Sequence, residues 1–473
     1  MALVLFRLEW MRTLRSPRIV GALFAVLLVL GAASWWSASL DRRQVEAQRA
    51  ASAQARADWL AQGAANPHGM AHFGDFVFRP SGPLARIDGG VQASLGRVLR
   101  VEGHAQGIPI HTASANAGSI TRFGRFDPAF LLQVVGPLLV LLMGATATAS
   151  DRASGRFRWA LAHGASPRAW VVGRFLALWS VGLLLMATVA VAAIAADPQT
   201  IASVAVDRLV GMGAFYALFY GVISATTVGV SYATRSPGMA LLVVLLSWVA
   251  GTAVLPRVTT TMASQVATLP TRDAFRSAMF EDKGKKIDGH NPLDKRIDEI
   301  REQVLAEYSV EKTEDLPINF TGIVMQLDEE YGNPVWDEHY GRLHATFDRQ
   351  AQVGRIAALV NPYQAIDGLS MSLAGTDLAH DLAFQRAVED YRRAWVEALN
   401  HEHAYGGSKS GDWSWKADAA FLADLGAYEH RVPPLTSVLG GRSIEILALV
   451  GWFMVGLALL GLQARRLETQ EAA

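Results

Sequence analysis

Residues 150–174 read SDRASGRFRWALAHGASPRAWVVGR, a short basic segment wedged between two long apolar runs. Gly155 breaks the chain out of the preceding helix. Phe157, Ala160 and Leu161 then fall at i, i+3 and i+4, one apolar face of a helix of about two turns. Arg156 and Arg158 sit off that face. Gly164 is placed to end the helix in the left-handed conformation. Ser166-Pro167 reads as an N-cap followed by a first-turn proline, opening a helix that runs into the next apolar stretch. The pattern is a rigid knuckle between two membrane helices.

Working outward, six stretches reach the roughly 20 apolar residues that a helix needs to cross a bilayer. They are Ile19–Trp36, Phe130–Ala149, Phe175–Ala196, Leu209–Tyr232, Pro237–Leu255 and Ile444–Ala464. The first has no clear small-x-small cleavage site after it. Trp35-Trp36 looks like an interfacial anchor, so the stretch reads as an uncleaved span.

Arg7, Arg12, Arg15 and Arg18 precede the first span, and Arg152, Arg156, Arg158, Arg168 and Arg174 join the second to the third. Arg235 lies between the fourth and fifth, and Arg465 and Arg466 follow the sixth. The third-to-fourth loop has Asp197, Asp207 and only Arg208. The basic clusters share one side, the cytoplasm by the positive-inside rule, and both termini fall there.

The expected organisation is an amphipathic elbow helix over 1–18, spans over 19–36 and 129–149, and the knuckle over 150–174. Spans over 175–196, 209–232, 237–255 and 443–464 follow, with a tail over 465–473. Segments 37–128 and 256–442 are expected outside, in the periplasm. The first begins with an Ala-, Arg- and Gln-rich stretch, Leu40–Gln62, that can extend the first helix. Its remainder holds short alternations such as Phe76-Val77-Phe78, read as strands or irregular structure. The second segment carries three stripes near a 3.6-residue period: Leu293, Ile297, Ile300 and Val304, then Trp336, Tyr340, Leu343 and Phe347, then Leu378 to Leu399. It is large enough for its own core. The fold class is thus an all-α polytopic membrane protein with six transmembrane helices and a large, mostly helical periplasmic domain.

In the elbow, Leu3, Phe6, Trp10 and Leu14 can lie in the interface with the arginines toward headgroups, so membrane lipids are expected partners. The chain has 43 basic and 43 acidic residues, no net charge and no cysteine. This balance excludes a global pull toward nucleic acid, and the missing thiols exclude disulfides and a cysteine nucleophile.

Other chemistry is scarce. Gly407-Ser408-Lys409-Ser410 has P-loop residue types in the wrong order and reads as a polar external loop. His401-Glu402-His403 does not share a helical face and reads as a solvated helix end. His68, His72, His104 and His111 lie in the first external segment, but their spacing does not unite them, so no metal site is assigned. No G-x-S-x-G elbow is present and no catalytic residue is assigned, which disfavours an intramembrane enzyme. Ionisable groups are almost absent from the spans; Arg174 and Glu445 sit near span ends, where snorkelling suffices. Gln133, Ser224, Thr226 and Thr227 are mid-span polar groups, either helix–helix bonds or the mildly polar wall of a transport path. Gly136-Pro137 is placed to kink the second span.

An amphipathic N-terminal helix, one span, a large external segment, then a span ending in an acidic-Arg pair and a knuckle resembles the membrane subunits of ABC-2 type (type V fold) ABC exporters. The family's E-R-E-x-G corresponds to Asp151-Arg152-Ala153-Ser154-Gly155. Its LLA-x-G-x-S pattern corresponds to Ala160-Leu161-Ala162-His163-Gly164-Ala165-Ser166. Leu369–His380, LSMSLAGTDLAH, resembles the branch with a large periplasmic insertion before the last span. Ala153 departs from the second acid of the pattern, and Arg156 from its small polar residue.

The resemblance implies a permease subunit in a bacterial inner membrane, paired with a second copy or a paralogue and driven by a cytoplasmic ABC ATPase dimer. That partner would bind ATP and Mg, leaving this chain without a cofactor. The knuckle would be the coupling helix. Phe157, Trp159 and Leu161 would plug the ATPase cleft, and Asp151 and Arg152 would pin the helix base beside Gly155. Arg156 and Arg158 would meet acidic groups of the ATPase. The scarcity of buried charge suggests an amphipathic or lipid-like cargo. The alternative is a non-transporting relay or scaffold with a periplasmic sensing domain.

Overall fold

The computed structural model describes residues 1–112, 126–234, 236–285 and 295–472; Arg235 and Leu293 lie outside this set. Helix α1, Ala2–Leu14, precedes α2, Pro17–Leu60, whose proline occupies the first turn, where no N–H is required. At 44 residues, α2 spans about 66 Å, twice the hydrocarbon thickness of a bilayer. Its first half exposes Phe24, Leu28, Trp35 and Trp36. Its second half continues the helix beyond the span to Leu60, the extension that the Ala-, Arg- and Gln-rich stretch was expected to allow, because these residues are good helix formers. Among the described residues, six helices are long and apolar enough to cross a membrane: α2, α4 (Pro128–Ala153), α6 (Pro167–Ala196), α7 (Val206–Ala233), α8 (Pro237–Val266) and α16, whose apolar stretch is Ser443–Glu468. The knuckle helix α5, Arg156–Ala162, sits between α4 and α6.

The bundle packs around α7, where Met212, Tyr216, Phe219, Tyr220 and Val228 are fully buried. Close approach sets the register. A Cβ at Gly182 of α6 would stand 2.2 Å from Tyr220 Cγ, so only glycine admits the ring there. Overpacking at this contact costs about 1–3 kcal/mol. Gly182→Val is therefore expected to lower the thermal midpoint of the purified protein, read by intrinsic fluorescence. Gly213→Val, which faces open space, should leave it unchanged.

The second span carries a wide π turn over Leu131–Val135, just before Gly136-Pro137. Tyr220 Oη donates to Leu132 O (2.7 Å) and Trp248 Nε1 to Val134 O (3.0 Å) within that turn. A matching turn, Ala250–Val254, carries α8 beyond the expected end at Leu255. There Asn361 Nδ2 donates to Gly251 O at 2.9 Å.

At the end of the bundle away from the knuckle lies a helical body with a small sheet, which the all-α expectation lacked. Strands β1 (Asp75–Phe78), β2 (Gly96–Val101) and β3 (Ile110–Thr112) form an antiparallel sheet in the order β1-β2-β3, with Val77 opposite Leu99. Phe76-Val77-Phe78, read as strand or irregular structure, is strand. Helix α3, Pro67–Phe73, precedes β1. Helices α9 (Arg272–Gly284), α10 (Lys295–Glu307), α11 (Phe320–Ala357), α12 (Pro362–Ala374), α13 (Leu378–Tyr405), α14 (Ala419–Asp424) and α15 (Leu435–Gly440) fill the stretch before α16, Ser443–Ala472. One core joins the two segments expected outside: Trp59, Met70, Val77 and Leu99 pack with Val388, Trp395, Leu399 and Leu422.

Helix α12 departs from the expected separate domain. Its Ala365, Ile366, Leu369 and Leu373 are fully buried in the same core as Tyr216 and Phe219 of the bundle. Two other readings are corrected. Ser408 is buried and accepts from Asn319 Nδ2 at 2.6 Å, so the Gly407–Ser410 loop is packed against the start of α11. His403 is buried, and within His401-Glu402-His403 His401 alone is exposed.

Candidate functional site

The knuckle is built around Asp151, which is 1% exposed near the end of α4. A carboxylate taken out of water requires charged partners, and three arginines from three elements supply them. Arg12 of α1 is bidentate, with both contacts at 3.1 Å. Arg156 Nε donates at 2.9 Å, and Arg174 Nη2 at 2.7 Å. Arg174 also reaches Glu9 Oε1 at 2.6 Å. Arg174 is therefore a buried centre of an ion cluster, where snorkelling to the interface was expected, because α1 folds over it.

That folding depends on Gly173. A Cβ there would lie 2.7 Å from Leu5 Cβ and 3.0 Å from Ala2 O. Trp10 Nε1 fastens the other end of α1 to Ser180 Oγ at 2.9 Å. Leu5 faces inward, so α1 is clamped to α6.

Gly155 has φ +74°, the left-handed conformation that turns α4 into α5 with no side-chain cost. Gly164, with φ +83°, ends α5; its N–H bonds Leu161 O (2.9 Å) and the N–H of Ala165 bonds Ala160 O (3.0 Å). Ser166 Oγ then accepts from Ala169 N, opening α6 as expected. Arg152 Nη1 donates to Tyr232 O at 2.9 Å, tying the base to the end of α7.

The apolar face of α5 does not point as expected. Phe157 is buried, edge-on to Trp170 (5.6 Å between centroids) and to Tyr232 (6.3 Å). It anchors the knuckle and is not available as a plug. Leu161 is half-buried. Trp159 is 67% exposed and lies against His163, 4.1 Å between centroids, while His163 Nδ1 bonds Trp159 O at 2.7 Å. Arg158 is exposed, whereas Arg156 is engaged by Asp151.

Between α1 and α5 runs a cleft of about 500 Å³. Val4, Leu5 and Leu8 form one wall, and Trp159, His163 and Trp170 the other, over a floor of Arg12, Asp151 and Arg156. Apolar walls over a charged floor suit a short amphipathic element of another protein. Glu9 and Arg12 belong to this site and were not singled out for it in the sequence. Their only signal was one acid and one base at i, i+3 on an otherwise arginine-rich helix.

The mid-span polar residues do not line one route. Gln133 Nε2 donates to Tyr216 Oη (2.9 Å), which bonds Ser370 Oγ (3.1 Å). Thr227 Oγ1 bonds Ile223 O within its own helix, at 2.7 Å. Ser224 is fully buried, and Thr226 faces a separate outer recess of about 260 Å³ beside Tyr363 and Trp452. Away from the bundle, the body brings together His68, His72 and His104, which spacing alone did not unite.

A domain of unknown function, DUF3526, matches residues 264–428, most of the chain between the fifth and sixth spans. No curated protein matches the chain.

Proposed function

We propose that this chain is the permease subunit of an ATP-driven ABC exporter in a bacterial inner membrane, working as a pair beside two ATPase chains. The knuckle would lie in the cytoplasm and the body in the periplasm. The distribution of arginines supports this orientation, since Arg12, Arg156, Arg158 and Arg168 gather at the knuckle end.

The observation that carries the reading is mechanical. A two-turn helix stands between two left-handed glycines and is welded by Asp151 to α1, α4 and α6. Force applied to Trp159 would reach two membrane helices without bending a flexible loop. ATP-driven closure of a partner needs such a handle, and the cleft beside Trp159 is where the partner would seat. The covalent chemistry then belongs to the partner, and the cargo is moved by rearrangement of the bundle beneath the body.

Trp159→Ala is expected to leave the thermal midpoint unchanged, because the ring is exposed. It should weaken capture of a co-expressed partner ATPase by roughly 30-fold, the effect of losing an aromatic interface anchor worth about 2 kcal/mol. Undiminished capture and undiminished transport-coupled ATP hydrolysis would overturn the coupling role. ATP hydrolysis in liposomes without movement of any lipid or amphiphile would favour the signalling relay instead.

A further inference from the structure

The histidines of the body form a converging set. His68 and His72 lie at i and i+4 of α3 and so share a face. Their Nε2 atoms are 3.1 Å apart. A tetrahedral zinc ion with Zn–N of 2.0–2.1 Å holds its ligand nitrogens about 3.3 Å apart, so this pair already stands near bidentate spacing. His104 comes from the turn after β2, its ring 5.2 Å from that of His72 and 5.7 Å from that of His68. One ring nitrogen from each of the three lies within 4.8 Å of the other two. The third ligand needs to close by roughly 1.5 Å at most to reach the same geometry.

Two further observations point the same way. His104 has φ +68°, a conformation that L side chains rarely adopt and that is costly to hold. It is held from both ends: its backbone N–H donates to Glu329, and its Nδ1 pairs with Asp328 Oδ2 at 2.8 Å. A carboxylate on Nδ1 is the arrangement that fixes a metal-binding histidine with its Nε2 lone pair outward.

Asp328 and Glu329 also lie within ligand distance of His104. Each is already engaged by a cation, Asp328 by Lys283 Nζ (2.7 Å) and Glu329 by Arg392 Nη1 (2.9 Å). This favours them as supports of the imidazole over direct ligands.

The geometry points to a zinc site in the body, with His68, His72 and His104 as ligands and Asp328 orienting His104. His72 is exposed, so the fourth position opens to solvent and can take water or a donor atom from another molecule. The ion would bind α3, the β2 turn and α11 into one unit. The proposal is independent of the transport reading, since it concerns residues far from the knuckle.

The test uses the full-length, untagged protein in lipid nanodiscs, stripped with a chelator and titrated with Zn²⁺ against a chromophoric competitor. One equivalent of Zn²⁺ is expected. His72→Ala, at an exposed position, should weaken binding at least 100-fold, and His104→Ala should do the same. Asp328→Asn should cost 10- to 100-fold. His401→Ala, exposed on α13, should bind as the parent does. X-ray absorption of the loaded parent should show three imidazole nitrogens at about 2.0–2.1 Å. Absence of stoichiometric binding by the parent would overturn the site, as would binding that survives His72→Ala. Should the His104 or Asp328 variant fail to fold, His72→Ala and the absorption spectrum decide the matter.

Discussion

Asp151→Ala should release the N-terminal helix and loosen the knuckle. The variant takes Asp151 from Arg174, which is 2% exposed, and leaves Glu9 at 2.6 Å among its contacts. It also strips Arg12 and Arg156 of the carboxylate they share. Removing one partner from a buried ion pair costs about 3–5 kcal/mol, because the desolvated charge left behind has lost its compensation. The surface members behave differently. The Arg12 side chain is 45% exposed, so Arg12→Ala should cost under about 1 kcal/mol. The expected ranking is thus Asp151→Ala and Arg174→Ala far above Arg12→Ala. Amide hydrogen exchange in nanodiscs checks it directly: residues 2–14 and 156–162 should lose protection together in Asp151→Ala, while the centre of α7 keeps its own. Unchanged exchange in α1 would show that Gly173, Leu5 and Trp10 hold the helix without the ion cluster. Under the proposed function, the same variant should bind the ATPase through an intact Trp159 yet couple poorly, since the handle is no longer welded to the spans.

The apolar runs made the six spans legible, because apolar length is a local property. Their ends were less so. The continuation of α2 past its span to Leu60 was legible in composition, since Leu40–Gln62 is made of helix formers, but hydropathy alone does not mark it. The π turns at Leu131–Val135 and Ala250–Val254 depend on Tyr220, Trp248 and Asn361 arriving from elsewhere. The glycines bounding α5 were readable, since a left-handed turn selects its residue. The inward direction of Phe157 was not. That face is decided by Trp170 and Tyr232, and Tyr232 is brought up only by the packing of α7. Asp151 was legible as part of a motif, but Arg12 lies 139 residues away in the chain. For the histidines, the i, i+4 spacing of His68 and His72 went unread, because α3 was not foreseen as a helix that would put them on one face. The third was not legible either, because His104 reaches them only once β2 pairs with β1 and Asp328 holds its ring.

The stretch 369–380, singled out by resemblance, becomes the joint between body and bundle. Gly375, with φ +73°, ends α12, and Asp377 caps α13 by accepting from His380 N at 3.0 Å. The same carboxylate pairs with His380 Nδ1 and with Arg442 Nη2, each at 2.6 Å, and accepts from Ser372 Oγ. Arg442 in turn holds Glu445 of α16 at 2.8 Å. Asp377 therefore links two helices at the base of the body to the start of the last span. Burial alone would raise its pKa; the His380 bond and charge, the Arg442 charge and the Ser372 hydroxyl outweigh this and hold it well below the usual carboxylate range. A depressed carboxylate stabilises the fold at every pH above its unfolded value, near 3.9, and loses that contribution as the pH falls toward the folded value. Asp377→Asn keeps the size and one acceptor but not the charge, so Arg442 would stay mostly buried without its counter-ion there. The expected cost at pH 7 is about 3 kcal/mol, toward the lower end for a broken buried pair. The sign of the pH dependence separates this from a packing defect. The gap in thermal midpoint between the parent and Asp377→Asn should be widest at pH 6–7 and should shrink below about pH 4, because only the parent has a charge to lose. A gap that stays constant from pH 7 to pH 3.5 would mean that the joint is held by the cap and by the buried face of α12, with the ion pair to Arg442 contributing little.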